Sequence, residues 1–314
     1  MVVVTGASSG IGREAAIEFA RRGATVVLAA RREEALEETA RACREAGGAA
    51  LVAVTDVSRE ADVQRLVEVA LSASGRIDVW VNNAGVTLFA PLETAPFEEH
   101  RRVIETNLFG AMFAARALIP IFRQQKRGTL INVGSILSKI GQPFVPSYAI
   151  SKFALRGVTE VLRVELADQP EVHICSIFPY AIDTPHFQEG ANHMGRGARA
   201  MPPVQSPEKV ALAIVGLAER PRREVHVPKI AVLGLALHAL MPRTVERMLL
   251  EALREWHFDG QPERSTQGNL FERSADGKGE VHGERRPQLS TFALVAWLGK
   301  QLVRGRLGPQ HATP

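Results

Sequence analysis

Tyr148 and Lys152 stand four residues apart, and Ser135 lies thirteen positions before Tyr148. On a helix, a spacing of four places the phenol and the ammonium on one face. An ammonium close to a phenol favours the phenolate, so the tyrosine becomes a usable proton donor and acceptor well below its free pKa of roughly 10. Ser135 follows an apolar run that reads as a buried strand. A hydroxyl on a strand end can converge with a Tyr/Lys pair from the next helix on one substrate oxygen. The Y-x-x-x-K pair by itself occurs by chance in many helices, so its weight depends on the upstream elements.

Those elements begin at once. Residues 2–4 read as a short buried strand, followed by Thr5-Gly6-Ala7-Ser8-Ser9-Gly10-Ile11-Gly12 and a helical stretch to residue 22. Gly6 lets the chain turn out of the strand, Gly10 removes a side chain where backbone must approach a phosphate, and Gly12 permits close helix–sheet packing. The helix N-terminus then offers free N–H groups, from Ser8, Ser9 and Ile11 onward, to a pyrophosphate. The bland alternative is a plain glycine-rich turn. A second strand at residues 24–30 ends in Arg31 and Arg32. In a nucleotide-binding βαβ unit this end meets the adenosine ribose. A carboxylate there selects NAD, whereas arginine pairs with the 2′-phosphate of NADP. No carboxylate precedes Glu33, so NADP(H) is favoured over NAD(H). Otherwise the two arginines are a solvated helix start.

The pattern then alternates. A helix at 33–46 leads to a third strand at 49–55, closed by Asp56 and Val57. Asp56 could accept from an adenine amino group or, with Ser58, cap the helix at 59–74. The fourth strand, 77–81, runs into Asn82-Asn83-Ala84-Gly85. Such small and amide residues can tie neighbouring strand ends together and leave room for a ribose, or simply form a turn. The next helical pattern, 97–125, holds Asn107 among Ile104, Leu108 and Met112, either as a satisfied core amide or as the holder of a water. The fifth strand, 129–133, ends in Gly134-Ser135, and a helix from Pro146 to about residue 167 carries Tyr148 and Lys152. The sixth strand, 172–178, is closed by Pro179. Residues 180–204 read as a loop-like lid, 207–219 as a helix and 224–227 as a seventh strand.

The bulk numbers set limits. The 314 residues comprise 46% hydrophobic and 23% charged residues with a formal charge of +4, ordinary for a soluble globular protein and no argument for a nucleic-acid groove. Cys43 and Cys175 read as free thiols of a reducing cytosol, and no His/Cys cluster suggests a metal. The start of the chain lacks signal-peptide features, and no apolar run reaches about 18 residues. Beyond residue 228 the character changes. Residues 229–256 read as a helical extension near the substrate pocket, 257–290 as a flexible polar linker, and 291–314 as a short amphipathic segment. The apolar stretch 230–241 is expected to cover the pocket. The last segment packs on the body or a partner subunit or, as the second reading, makes peripheral contact with a membrane. A cytoplasmic protein is expected.

Through residue 228 the chain resembles the classical short-chain dehydrogenase/reductase family. The T-G-x-x-x-G-x-G motif stands at Thr5, Gly6, Gly10 and Gly12, N-N-A-G at Asn82 to Gly85, and the family's tetrad maps onto Asn107, Ser135, Tyr148 and Lys152. The resemblance implies an α/β, Rossmann-like doubly wound sheet of seven parallel strands with helices on both faces, here with a C-terminal helical extension. It also implies reversible hydride transfer between NADP(H) and a carbonyl or secondary alcohol. Tyr148 is then the general acid/base and Ser135 the donor to the substrate oxygen. Lys152 lowers the Tyr148 pKa and binds the nicotinamide ribose, and Asn107 positions a water. Gly6, Ser8, Ser9, Gly10, Ile11, Arg31, Arg32, Asp56, Val57, Asn83, Ala84 and Gly85 fall at cofactor-contact positions, as do Tyr148 and Lys152. Ile182 and Thr184, after Pro179, fit contacts to the nicotinamide carboxamide. One departure stands out: Tyr180 replaces the glycine usual after Pro179, against the nicotinamide or the substrate. With Phe144, Phe187, Met194 and Met201 it suggests a lipophilic substrate. Family members commonly form dimers or tetramers, here through 104–122. The rival reading is a non-catalytic NADP(H)-binding regulator, which has no need of the full tetrad.

Overall fold

The computed structural model describes residues 1–272 and 279–283. Short runs rich in valine, leucine and isoleucine make the strands, and amphipathic stretches make the helices between them. In chain order these are β1 (Val2–Thr5), α1 (Gly10–Arg21), β2 (Thr25–Ala30), α2 (Glu33–Glu45), β3 (Ala49–Val54), α3 (Glu60–Ser74) and β4 (Val79–Asn82). A two-residue β5 (Leu88–Phe89) precedes α4 (Phe97–Ile104), a π-helical turn (Glu105–Phe109) and α5 (Gly110–Gln125). Next come β6 (Gly128–Val133), a 3-10 turn (Ile136–Ser138), α6 (Pro146–Glu165), β7 (Val172–Pro179) and α7 (His186–Glu189). The short β8 (Ala191–Asn192) and β9 (Arg196–Ala198), α8 (Pro207–Glu219), β10 (Glu224–Val227), α9 (Ala231–Leu240), α10 (Pro242–Trp256) and β11 (Phe258–Pro262) follow.

Seven strands pair in parallel in the order β10-β7-β6-β4-β1-β2-β3, the doubly wound α/β sheet that the alternating pattern implies. Parallel neighbours need a crossover, and α1, α2, α3, α5, α6 and α8 lie in those crossovers against a face of the sheet. β1, β4 and β6 are therefore buried along their whole length, which explains their largely apolar character. The edge strand β3 alternates instead and leaves Val54 exposed. One core lies beneath α1, α2 and α8 around Phe19, Leu36 and Ile214. The other lies beneath α3, α5 and α6 around Leu66, Leu118, Phe122 and Leu162, with Trp80 fully buried in it. Strand order reverses between β1 and β4, so their carboxyl ends open a crevice there. Cys43 and Cys175 are buried free thiols.

Three departures from the sequence expectation matter for the site. The stretch Phe97–Gln125 is long and apolar enough to cross a membrane, but Val103, Ala111, Leu118 and Phe122 face the core. It is also interrupted by the π turn around Asn107. The lid at 180–204 contains α7, β8 and β9 rather than loop alone. Residues 257–272, expected as part of a flexible polar linker, dock on the body. β11 pairs antiparallel with β9, Asn192 and Thr266 bridge, and Leu270 is completely buried. The polar composition is compatible with this because backbone pairing carries much of the contact, with Phe258 and Leu270 as its buried apolar side chains. The apolar segment at 291–314, the membrane contact expected of it and most of 273–290 lie outside the described residues.

Candidate active site

Ser135 sits immediately after β6, where it caps the 3-10 turn. Its Oγ accepts from the Leu137 N–H at 3.1 Å, and the Ser138 hydroxyl accepts from the Ser135 N–H at 3.2 Å. Pro146 opens α6 with a φ suited to a first turn. Tyr148 and Lys152 then follow one turn apart and share a cavity of about 840 Å³ with Ser135. Burial pushes the Tyr148 phenol up to about 12, while the Ser135 hydroxyl bonds to it and acts in the opposite direction. Burial draws the Lys152 ammonium down to about 8. The Lys152 Nζ lies 5.5 Å from the Tyr148 ring centroid and also donates to the Val133 carbonyl at 2.8 Å, which ties it to the end of β6.

Asn107 lies outside that cavity and beside a second one, of about 10 Å³, that it shares with Lys152. Such a space is close to the lower limit for a single water. The amide is fully engaged. Its Oδ1 accepts from the Val86 N–H at 2.8 Å, and its Nδ2 donates to the Val86 carbonyl at 2.9 Å and to the Ser151 hydroxyl at 3.1 Å. The π turn widens the helix at this residue and aims the amide at Val86. A Cβ on Gly85 would approach Asn107 Oδ1 to 3.3 Å and Lys152 Nζ to 3.7 Å, so glycine keeps that gap open.

At the other end of the same cavity stand Gly6, Ser8, Ser9, Gly10, Ile11, Arg31, Arg32, Asp56, Val57, Asn83, Ala84 and Gly85. Pro179, Tyr180, Ile182 and Thr184 also line it, so the expected catalytic and cofactor residues except Asn107 meet here; of the expected apolar lining, Phe187 and Met201 are present and Phe144 and Met194 are not. The N-N-A-G residues tie strand ends together: Thr5 Oγ1 accepts from the N–H groups of Asn83 and Ala84 at 3.0 and 3.1 Å. The residues fit a dinucleotide. Gly10 adopts φ +53°, and a Cβ on Gly12 would fall 2.2 Å from the Gly6 carbonyl oxygen, so only glycines allow this tight entry into α1. The entry brings the first-turn N–H groups to the cavity wall without side chains in front of them.

Two of the expected residues at the ribose end have protein partners. Arg32 pairs with Glu189 at 2.8 Å. Asp56 accepts from the N–H and hydroxyl of Ser58 at 3.1 and 2.7 Å and pairs with Arg102 at 2.7 Å. Arg31 meets backbone carbonyls instead, those of Asn269 at 2.5 Å, Leu270 at 3.3 Å and Phe271 at 3.5 Å. Burial depresses its pKa, with Asp56 opposing.

The apolar end of the cavity was only partly legible. The expected cover at 230–241 is present, with Leu233 and Leu237 of α9 among the lining residues, and α10 adds Met248 and Leu249. Tyr180 packs with Leu249, Ala252 and Leu253 and donates from its hydroxyl to the Pro202 carbonyl at 3.3 Å. The ring in place of the usual glycine therefore seats the helical extension as well as lining the cavity. His186 was missed. Its ring centroid lies 5.4 Å from that of Tyr148 and 5.9 Å from that of Phe187. Burial and the charge of Lys152 hold the His186 imidazole down to about 4, so it is neutral at pH 7. Nothing in the spacing announces it, because only the lid's path brings it beside the phenol.

Comparison with known proteins agrees with this architecture. The family model described as short chain dehydrogenase matches residues 1–194. The chain is 39% identical over 252 residues to the uncharacterised oxidoreductase YxnA of Bacillus subtilis (strain 168), covering 79% of this chain and 71% of that one. It is 38% identical over 224 residues to 3beta-hydroxysteroid dehydrogenase 1 of Eggerthella lenta, covering 69% and 85%. Among solved structures, an alcohol dehydrogenase from the archaeon Thermococcus sibiricus complexed with 5-hydroxy-NADP superposes with a TM-score of 0.62 at 28% identity, covering 72% and 93%. Levodione reductase does so with a TM-score of 0.63 at 26% identity, covering 72% and 95%. The chain belongs to the short-chain dehydrogenase/reductase family. It is an oxidoreductase of the carbonyl/alcohol couple.

Proposed function

We propose that this enzyme interconverts a lipophilic carbonyl compound and its secondary alcohol, using NADP(H) in preference to NAD(H). The observation that carries the reading is the single cavity with Ser135, Tyr148 and Lys152 at one end and the glycine turn with Arg31 at the other. When bound, the dinucleotide supplies or accepts the hydride. In reduction the Tyr148 phenol, neutral at pH 7, gives its proton to the carbonyl oxygen. The Ser135 hydroxyl donates to the same oxygen and steadies its growing charge. Lys152 keeps a buried positive charge near the phenol, which favours the phenolate left behind, and connects through the small cavity beside Asn107 to a proton supply. Gly6, Ser8, Ser9, Gly10 and Ile11 would hold the pyrophosphate, Asn83, Ala84 and Gly85 the ribose, and Pro179, Ile182 and Thr184 the nicotinamide. Arg31, with no carboxylate paired to it among the described residues, would hold the 2′-phosphate.

The substrate class follows from the wall. Phe89, Phe187, Tyr180, Leu233 and Leu249 present apolar surface, and the neutral His186 adds one donor or acceptor beside the reacting oxygen. That arrangement suits a bulky apolar skeleton with a second oxygen near the reacting carbon. The steroid dehydrogenase among the relatives acts on a molecule of that general kind by its name. Exposed Phe109, Met112, Phe153 and Val164 on the π turn, α5 and α6 offer a face for a second copy of the chain, giving a homodimer or homotetramer. A screen of ketones and secondary alcohols followed by NADPH absorbance tests the reading. Turnover of hydrophilic aldoses alone, or of none of the compounds, would count against it.

A further inference from the structure

Beside the dinucleotide end of the cavity, residues 279–283 lie against the glycine turn and Thr184. The Gly10 N–H, first of the α1 donors, gives its hydrogen bond to the Glu280 carbonyl at 2.9 Å. Arg13 donates to the Gly279 carbonyl. Gly279 is buried, and a Cβ there would stand 3.1 Å from both the Ser8 carbonyl oxygen and Ala35 Cβ. At the other end a Cβ on Gly283 would stand 2.5 Å from the Thr184 carbonyl oxygen. His282 tacks this end down, with Nδ1 3.4 Å from Asp183 and Nε2 2.8 Å from Glu208. The segment therefore reaches from the α1/α2 side to Thr184 and occupies the Gly10 N–H at the start of α1.

We propose that residues 279–283 are an intramolecular competitor for the pyrophosphate of NADP(H), an autoinhibitory strap that cofactor binding must lift from Gly10. The inference rests on the dinucleotide reading above. The hydrogen bonds explain why the strap can be lifted. At Gly10 a neutral carbonyl occupies a donor at a helix N-terminus, and a phosphate makes about twice as strong a bond there and is further favoured by the helix dipole. The chain just before the strap is held differently. Leu270 is completely buried, its carbonyl also accepts from Arg102 at 2.9 Å, and the Asn269 N–H donates to the Glu189 carbonyl at 2.8 Å. Residues 269–271 thus form a buried anchor, whereas 279–283 are held by polar contacts, from Gly10, Arg13 and His282, that water or a phosphate can replace. A strap closed in most molecules raises the apparent dissociation constant of the cofactor by the reciprocal of the open fraction.

Two measurements on the full chain test this. Gly283→Val puts a branched side chain against the Thr184 backbone and should expel the strap. NADPH affinity, read by fluorescence titration, should then tighten by about tenfold if the strap is closed about nine-tenths of the time. In the wild type, saturating NADPH should speed tryptic cleavage after Lys278 and Arg285 several-fold, a readout that needs no variant and no turnover. Unchanged affinity in the variant together with unchanged or slowed cleavage would overturn the strap, slowed cleavage marking a segment that closes over the cofactor instead. If NADPH binds neither protein, the dinucleotide reading has failed and the strap falls with it. NADPH binding without the two strap signatures would remove the strap alone.

Discussion

The Lys152 ammonium lies 5.5 Å from the centre of the Tyr148 ring and gives a hydrogen bond to the Val133 carbonyl at 2.8 Å. Its charge is therefore buried without a carboxylate, and burial lowers its pKa from 10.5 to about 8. Between those two pH values the unfolded chain binds the proton that the folded protein has released, so stability rises with pH across that window. Lys152→Met removes the dependence. Urea unfolding at pH 7 and pH 9.5 should show the wild type gaining on the variant, by about 2 kcal/mol at most. Tyr148 does not interfere, because its raised pKa costs stability only above about pH 10. Parallel pH curves for the two proteins would contradict this.

Arg31 and Arg32 follow one another in sequence but differ in what they face. Arg32 is paired with Glu189, whereas among the described residues Arg31 has hydrogen bonds to carbonyls and no paired carboxylate, and can exchange them for a phosphate. Arg31→Ala should weaken NADPH by roughly 10- to 100-fold and NADH only slightly. Arg32→Ala should change the ratio of the two cofactors by about threefold or less. Equal losses of NADPH and NADH in the Arg31 variant would defeat the NADP assignment.

Tyr180 occupies the position where the family has glycine, and α10 rests on it through Leu249, Ala252 and Leu253. Tyr180→Gly leaves a hole beneath the extension and should cost about 3–5 kcal/mol in urea unfolding. Tyr180→Phe loses only the bond to Pro202 and should cost about 1 kcal/mol. A glycine variant as stable as the wild type would mean that the extension is seated by other contacts.

His186 is held neutral, with its pKa near 4. The pH–rate profile should therefore show no inflection between pH 5.5 and 7.5 attributable to it. His186→Phe should lower kcat/KM for a ketone with an adjacent hydroxyl by about tenfold. The same ketone without the hydroxyl should be little affected. A uniform loss on both substrates would make His186 a packing residue.

Much of this was readable from the chain. The apolar strands, the glycine turn and the Ser/Tyr/Lys spacing are local patterns, and the parallel sheet follows from the alternation of strands and helices. What escaped depends on contacts between distant residues. Arg32 and Glu189 are 157 positions apart. The π turn at Asn107 breaks no hydrophobic period, so Phe97–Gln125 reads as one helix. Helix spacing brings Lys152 beside Tyr148, but the second contact of its ammonium, with the Val133 carbonyl on a strand 19 positions earlier, is one that no spacing rule reveals. The docking of 257–272 is backbone pairing, which leaves little trace in composition.

The central claim is that Tyr148 moves the proton. Tyr148→Phe keeps the ring, its packing and the neighbouring Lys152, and removes one hydroxyl. Single-turnover reduction of an accepted ketone, with NADPH binding measured on the same sample, should show the rate falling by roughly 10²–10⁴-fold while the NADPH dissociation constant stays within about threefold. Near-wild-type turnover with cofactor affinity unchanged would contradict the assignment and move the proton transfer to another group.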